Sequence, residues 1–226
     1  MFAPQNYLDL AHCPHSQIFD GLECVWDALP RIAPYLKERI QPANHAIIEG
    51  VAHIGPCVYL GEGTIVEAGA TIKGPAWIGT NCRIRTGAYI RENVILGNGV
   101  TAGNSCEFKN CLVCDNAEIP HFNYVGDSLL GYKAHLGAGV ILSNVRLDRE
   151  NVVVHLPDGT FMETGLRKFG AVLGDLAEIG CNSVLSPGSI IGRRSIVYPC
   201  TSWSGILLEN KIAKVRTQVS ISSRRS

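Results

Sequence analysis

A six-residue hydrophobic repeat between Ile48 and Cys114 constrains the fold of this chain more than any other feature. Every sixth position there holds an aliphatic, aromatic or small residue: Ile48, Ile54, Leu60, Val66, Ile72, Ile78, Ile84, Ile90, Leu96, Ala102, Phe108 and Cys114. Hexads of this kind mark a parallel β-helix, since α-helices repeat every 3.6 residues and strands every two. Three hexads make one triangular turn, so residues eighteen apart should stack on adjacent turns.

The repeat contains two faults. We place five-residue steps from Cys114 to Ile119 and from Val125 to Leu130, after which the period resumes. A shortened hexad must distort its coil, and local distortions of the backbone are often found at functional sites. The sequence therefore predicts functional groups near these two steps.

A longer interruption separates two runs of hexads. The period is lost over residues 144–170 and restarts with Leu173, Ile179, Leu185, Ile191, Val197 and Trp203. Within the gap, residues 151–163 read as a β-hairpin that turns at Pro157-Asp158-Gly159. We expect an all-β solenoid over residues 45–206 that carries this hairpin as an inserted loop, followed by a frayed polar tail over residues 207–226.

The N-terminal region has helical rather than hexad spacing. Residues 1–15 predict extended or loop structure, and apolar residues over 16–40 recur at intervals of three and four. Ser16 is the expected N-cap, and Pro30 predicts a break between two short helices. Because the ends of a solenoid need a cap, we expect residues 1–44 to form a helical cap over the open first coil.

Composition excludes several classes of function. The formal net charge is zero, so no basic excess favours nucleic acid or an anionic membrane surface. No stretch approaches eighteen apolar residues, and residues 1–10 lack the features of a signal peptide. Several of the nine cysteines, namely Cys82, Cys106 and Cys114, fall on inward hexad positions. They read, like the lone Cys111/Cys114 CxxC, as small core residues of a reduced, cytoplasmic protein without a metal site.

Five segments, in order and at matching spacing, carry a resemblance to a known family. They are Gly103-Asn-Ser-Cys-Glu-Phe-Lys109, Ile119-Pro-His-Phe-Asn-Tyr-Val-Gly-Asp127, Leu136-Gly-Ala-Gly139, Asn144 and Arg167-Lys-Phe-Gly170. With them the chain resembles the left-handed β-helix acyltransferases, and most closely the acetyltransferase half of the bifunctional enzyme that makes UDP-N-acetylglucosamine. The resemblance implies a left-handed helix, a homotrimer with sites between neighbours, and N-acetyl transfer from acetyl-CoA to an amino-sugar phosphate such as glucosamine 1-phosphate.

The resemblance also implies roles for individual residues. His121 matches the catalytic base, and Lys109 with an upstream arginine matches the phosphate ligands. We favour Arg91, which lies eighteen residues before Lys109, although Arg85 stands in a similar local sequence. The remaining candidates are Tyr124, Asn144 and His135 for the sugar, Lys168 in the basic loop, and Ala138, Cys181 and Pro199 for the coenzyme.

Elementary chemistry agrees with these roles. Acetyl transfer from a thioester to an amine needs a base for the amine proton, and histidine titrates in a suitable range. The tetrahedral intermediate needs hydrogen-bond donors, for which Tyr124 or a backbone amide of Gly137-Ala138-Gly139 are candidates. A sugar phosphate needs paired cations, which a stacked arginine and lysine supply.

Several departures keep the acceptor open. His135 stands where the family usually has Asn, Cys181 where it has Ser, and Pro199 where it has a small residue. Galactosamine phosphate and a nucleotide-linked amino sugar therefore remain alternatives. The rival function is a non-catalytic binding or regulatory protein. A γ-type carbonic anhydrase needs an H-x4-H pair that is absent, and no segment typical of uridylyl transfer precedes Ile48.

Overall fold

The computed structural model describes residues 1–215 and 222–223, and the chain folds as a left-handed parallel β-helix. Three parallel sheets form the faces of a triangular prism, and successive strands along the chain belong to sheets A, B and C in turn. At about 4.8 Å between strands, the nine strands of sheets A and B make a prism about 40 Å long. The predicted fold class is confirmed.

The strands are two to four residues long. Sheet A contains Ala43–Asn44, Val58–Leu60, Ala76–Ile78, Val94–Leu96, Cys111–Val113, Leu129–Leu130, Ala171–Leu173, Ser189–Ile191 and Ile206–Leu207. Sheet B contains Ile47–Glu49, Ile65–Glu67, Arg83–Ile84, Thr101–Asn104, Glu118–His121, His135–Leu136, Glu178–Ile179, Ile196–Val197 and Ile212–Ala213. Sheet C contains His53–Ile54, Thr71–Ile72, Tyr89–Ile90, Glu107–Lys109, Tyr124–Gly126, Ile141–Leu142, Val184–Leu185 and Ser202–Trp203.

The first shortened hexad lies earlier than the sequence predicted. Leu96 pairs with Val113, not with Cys114, so the five-residue step runs from Phe108 to Val113. Val113 therefore fills the prism, whereas Cys114 belongs to the cluster on the outside of sheet A. The prediction that Cys114 points inward is wrong. Cys111 does point inward, so these two thiols lie on opposite faces of one sheet and do not form a chelating pair.

The N-terminal segment lies on a side face of the prism. It consists of 3₁₀ turns at Pro4–Asn6, Leu10–His12, Ser16–Phe19 and Val25–Ala28, followed by helix α1 at Leu29–Arg39. His15, not Ser16, is the N-cap of the third turn, and Pro30 lies in the first turn of α1.

The apolar residues of this segment, among them Trp26, Leu29 and Ile32, pack on outward side chains of sheet A. Those side chains are Ile95, Leu112, Leu129, Val172 and Ile190. The prediction that this segment caps the first coil is therefore wrong. In the described part of the chain the first coil stays open, with Ile48 and Ile54 only partly buried and Val51 86% exposed.

The predicted hairpin is confirmed, with antiparallel strands at Val153–His155 and Phe161–Glu163. The coils continue to Ile212–Ala213, so the solenoid extends into the segment expected to be tail. The last residues of the predicted frayed tail, 224–226, and residues 216–221 lie outside the described part. Within residues 1–215 and 222–223, every helix is too short or too polar to cross a bilayer.

Candidate active site

A cluster of polar side chains occupies the corner between sheets C and A, where the two shortened hexads fall. The buried carboxylate of Asp127 is its centre. Asp127 accepts hydrogen bonds from the side-chain amides of Asn110 at 2.9 Å and Asn144 at 2.5 Å, and lies 3.5 Å from the ammonium of Lys109. Tyr124 joins the cluster, since Asn144 Nδ2 also lies 3.2 Å from its hydroxyl oxygen.

The shortened hexads create this corner. Asn110 and Asp127 each take the corner position with φ of +46°, in the left-handed region that Asn and Asp tolerate better than most residues. The amide of Asp127 donates to the Lys109 carbonyl, which fixes the two coils against each other. Because each of these corners has one residue fewer, the side chains of Asn110, Asp127 and Asn144, from three successive coils, come into contact.

Arg91 stacks beside Lys109, as the eighteen-residue spacing predicts. The Arg91 amide donates to the Phe108 carbonyl, which sets the two side chains one coil apart on the outer face of sheet C. The Arg91 guanidinium lies 2.8 Å from Glu107 and 3.3 Å from Glu92. Arg85, by contrast, follows a strand of sheet B and is separated from Lys109 by a prism edge.

The phenol ring of Tyr124 lies across the backbone of Gly126. A Cβ at Gly126 would approach the ring carbon Cζ to 2.7 Å, so only glycine allows this position. Burial, followed by the Asp127 carboxylate, raises the pKa of the Tyr124 hydroxyl. Because Asn144 donates to this oxygen, the O–H of Tyr124 is left to donate to a ligand.

Asn144 and Lys168 lie at the two ends of the inserted loop. The Phe169 amide donates to the Asn144 carbonyl at 3.0 Å, which closes the loop beside the cluster. Lys168 precedes Phe169 directly and its side chain is exposed. The loop therefore adds a cation to the same edge of sheet C.

His121 occupies the other edge of sheet C, at its corner with sheet B. Three backbone hydrogen bonds connect successive coils here. The Gly139 amide donates to the His121 carbonyl, the Asn182 amide to the Ala138 carbonyl, and the Cys200 amide to the Cys181 carbonyl. Since each of these bonds joins stacked corners, His121, Ala138, Cys181 and Pro199 form one column on four successive coils. The sequence candidates for the base and the coenzyme contacts are thus aligned.

Two features make this corner suitable for a ligand. The buried side chain of Asn123 accepts from the His121 amide and donates to the Gly137 carbonyl, so it holds the base against the next corner. The amides of Gly137 and Gly139 already donate to carbonyls, but among the described residues that of Ala138 has no acceptor. The Ala138 N–H is therefore free for a ligand in the column.

A groove of about 370 Å³ runs beside the lower part of this column. Its walls include Cys181 and Pro199 together with the side chains of Ile196 and Tyr198. His135 lines the same groove, and its Nδ1 lies 2.8 Å from the Glu178 carboxylate. Two of the three predicted coenzyme positions, Cys181 and Pro199, line this groove.

The structure does not bring His135 to the polar cluster. His135 lies on the outer face of sheet B, one prism edge away from Tyr124 and Asn144. Its predicted contact with the sugar is not supported within one chain, because the imidazole contacts the Glu178 carboxylate beside the groove and not the polar cluster.

Sequence reasoning did not select Asp127, Asn110 or Asn123, although each organises the site. The signal for Asp127 was present, because it ends the Ile119–Asp127 segment and lies within a shortened hexad. Asn123 lies in the same segment and Asn110 lies outside all five segments, but the role of each depends on which corner it occupies, and the sequence does not show this.

Comparisons with known proteins point to one group of enzymes. A family model described as the GMPPB C-terminal domain matches residues 72–163. The Bifunctional protein GlmU of Methanococcus vannielii is 37% identical over 172 residues, which are 76% of this chain and 41% of that protein. The chain therefore spans less than half the length of that relative.

A second relative is covered more fully. The Uncharacterized acetyltransferase YaiX of Escherichia coli O6:K15:H31 is 36% identical over 163 residues, 72% of this chain and 69% of that protein. Among solved structures, the UDP-N-acetylglucosamine acyltransferase of Francisella novicida matches 70% of this chain and 59% of its own, with 16% identity and a TM-score of 0.40.

Proposed function

Because the chain belongs to the left-handed β-helix acyltransferases, we propose that it transfers the acetyl group of acetyl-CoA to the amine of a phosphorylated amino sugar. The observation that carries this proposal is the position of His121. It stands at the head of the Ala138–Cys181–Pro199 column and at one edge of sheet C, whose other edge holds Lys109 and Asp127. The reaction requires a base that lies between the site of the thioester and the site of the sugar phosphate, and His121 lies between the groove and the cations of sheet C.

The groove suits the extended part of a coenzyme. From His121 to Pro199 the column spans three coil spacings, about 14 Å. Its wall is largely apolar, and the Ala138 N–H supplies a donor near the base. Acetyl-CoA, when bound there, supplies an activated acyl group as a thioester.

The chemistry assigned to the chain is general base catalysis. His121 takes a proton from the amine as the nitrogen attacks the thioester carbonyl, and it returns that proton to the leaving thiolate as the C–S bond breaks. The Ala138 amide and the Tyr124 hydroxyl are the donors available to the oxyanion and the sugar. Arg91 and Lys109 bind the phosphate by charge-assisted hydrogen bonds.

We also propose a homotrimer. Along the edge between sheets B and C that carries the column, the side chains of Phe122, Val184 and Tyr198 are 58%, 39% and 44% exposed. A neighbouring prism in a closed ring covers such apolar side chains and completes the site. Light scattering is expected to give three times the chain mass of 24.4 kDa, and a monomer at micromolar concentration would remove the shared site.

The direct test is release of free CoA from acetyl-CoA in the presence of a panel of amino-sugar phosphates and nucleoside diphosphate amino sugars. We expect activity that depends on the free amine and on the phosphate of the acceptor. Acetyl-CoA that protects the protein against heat but is never turned over, with every acceptor in the panel, would instead favour the non-catalytic binding protein.

A further inference from the structure

A third cation extends the row formed by Arg91 and Lys109. Lys73 lies eighteen residues before Arg91, and its amide donates to the Ile90 carbonyl at 2.8 Å, so it stacks one coil further from His121. Lys73, Arg91 and Lys109 thus form a ladder on the outer face of sheet C, about 4.8 Å from rung to rung. The next position beyond Lys73 is Gly55, which carries no side chain.

The three cations differ in their partners. Arg91 contacts Glu107 and Glu92, and Lys109 contacts Asp127. Across the described ranges, no carboxylate lies within 4.0 Å of the exposed Lys73 ammonium, which lies over the Tyr89 ring, 5.1 Å from its centroid. Lys73 is therefore the rung whose charge is not already balanced.

We propose that the acceptor is a nucleoside diphosphate amino sugar, and that Lys73 binds its second phosphate. This inference rests on the proposed acetyl transfer. The order of the groups along the prism supports it, because the amine must lie near His121 and the first phosphate near Lys109 and Arg91. A chain of atoms that continues in the same direction places the second phosphate at Lys73 and the nucleoside beyond it, at the coil of Gly55.

A monophosphate leaves this third rung unused. It satisfies Lys109 and Arg91, while Lys73 stays one coil away from any anion. The Arg91 guanidinium has five N–H donors, and its two carboxylate contacts leave donors for a phosphate oxygen on either side. Arg91 is thereby placed to bridge two phosphates.

The test compares two ligands that share one sugar. Dissociation constants of glucosamine 1-phosphate and UDP-glucosamine are measured by calorimetry on the full chain and on its Lys73→Met, Lys109→Met and Lys37→Met variants. Lys37, an exposed residue of α1, is the matched control. We expect Lys73→Met to weaken UDP-glucosamine binding about tenfold, which corresponds to about 1.4 kcal/mol, and to leave the monophosphate within about twofold.

The outcomes separate the two proposals. Lys109→Met should weaken the binding of both ligands, and Lys37→Met should weaken the binding of neither. If Lys73→Met leaves UDP-glucosamine unchanged, or if the wild type binds both ligands equally well, the diphosphate inference is overturned while the acetyl transfer stands. If the wild type binds neither ligand, or if Lys109→Met changes neither, the proposed function itself fails.

Discussion

The side-chain amide of Asn144 donates to the buried carboxylate of Asp127 at 2.5 Å, and this contact ties the start of the inserted loop to the corner of a shortened coil. The same carboxylate accepts a hydrogen bond from the side-chain amide of Asn110 and lies 3.5 Å from the ammonium of Lys109. One acidic side chain therefore fixes the position of a cation, an amide and a loop. These groups meet because two hexads of the repeat are each one residue shorter than the others.

Asp127→Asn tests this role. The variant replaces one acceptor oxygen with an NH₂ group that must face the amide of Asn110 or Asn144, so a buried donor loses its partner. We expect the free energy of unfolding to fall by about 1–3 kcal/mol, measured by urea denaturation. The exposed Glu150→Gln is the control and should change it by less than about 0.5 kcal/mol. Equal stability of both variants would contradict a structural role for Asp127.

Gly126→Ala and Tyr124→Ala should act through one interaction. The added methyl group displaces the Tyr124 ring, so each single variant removes the phenol from the site. We expect each to lower kcat/KM for the acceptor about three- to tenfold, the effect of losing a hydrogen bond worth about 0.5–1.5 kcal/mol. In the double variant the two losses should not add. Additive losses would show that Gly126 matters for some reason other than the position of Tyr124.

The two candidate arginines can be separated by binding measurements. If Arg91 and Lys109 hold the phosphate, Arg91→Ala or Lys109→Ala should weaken acceptor binding by about 1.5–3 kcal/mol, the scale of a charged hydrogen bond. Acetyl-CoA binding, measured by calorimetry, should be unchanged in both. Arg85→Ala is the matched control, because that residue lies across a prism edge. A larger loss in Arg85→Ala would transfer the phosphate role to Arg85.

Periodicity predicted the fold because each hexad supplies its own inward residue, whatever the rest of the chain does. It also predicted the Arg91–Lys109 stack, since the coils there keep eighteen residues. Counting forward by eighteen fails from Val94 to Val125, where each strand residue pairs with the one seventeen later. Cys114 was misplaced because Val113 beside it is equally suited to the interior, so hydrophobicity alone did not locate the missing residue.

The position of the N-terminal segment was not predicted correctly. Amphipathic spacing shows that one face of a helix is buried, but it does not show which part of the protein that face packs against. The relevant signal lay in sheet A, where strands such as Val94–Leu96 are apolar at all three positions. An outward apolar residue such as Ile95 needs a partner, and the N-terminal segment supplies it. The site residues followed from the resemblance, whereas their alignment on two edges of sheet C required the corner hydrogen bonds.

Asp175 should make stability depend on pH. Burial raises the pKa of its carboxyl above 3.8, although the amides of Tyr132 and Asp9 and the Arg193 guanidinium oppose the shift. The folded state therefore holds this proton more tightly than the unfolded state, and stability is lost as pH rises from 3.8 through the raised pKa. In urea unfolding from about pH 4 to about pH 7, the advantage of wild type over Asp175→Asn should shrink with rising pH. A difference that is flat or grows would contradict this shift.

His121 is the residue on which the proposed mechanism depends. The amine must lose a proton as it attacks the carbonyl, and a positioned base typically contributes about 10²–10⁴-fold. His121→Ala should therefore lower kcat by that factor in the CoA-release assay, while acceptor affinity changes much less, because proton removal belongs to the transition state. Circular dichroism and light scattering should show the same fold and the same oligomer.

His135→Asn is the control for this experiment. His135 faces the groove and the Glu178 carboxylate, away from the Tyr124 cluster, so it is not placed to take the amine proton. We expect a mild change in kcat, and any larger effect should appear in the KM for acetyl-CoA. Full CoA-releasing activity in His121→Ala, or a loss in His135→Asn as large as that expected for His121→Ala, would move the base to another residue and end the mechanism proposed for this corner.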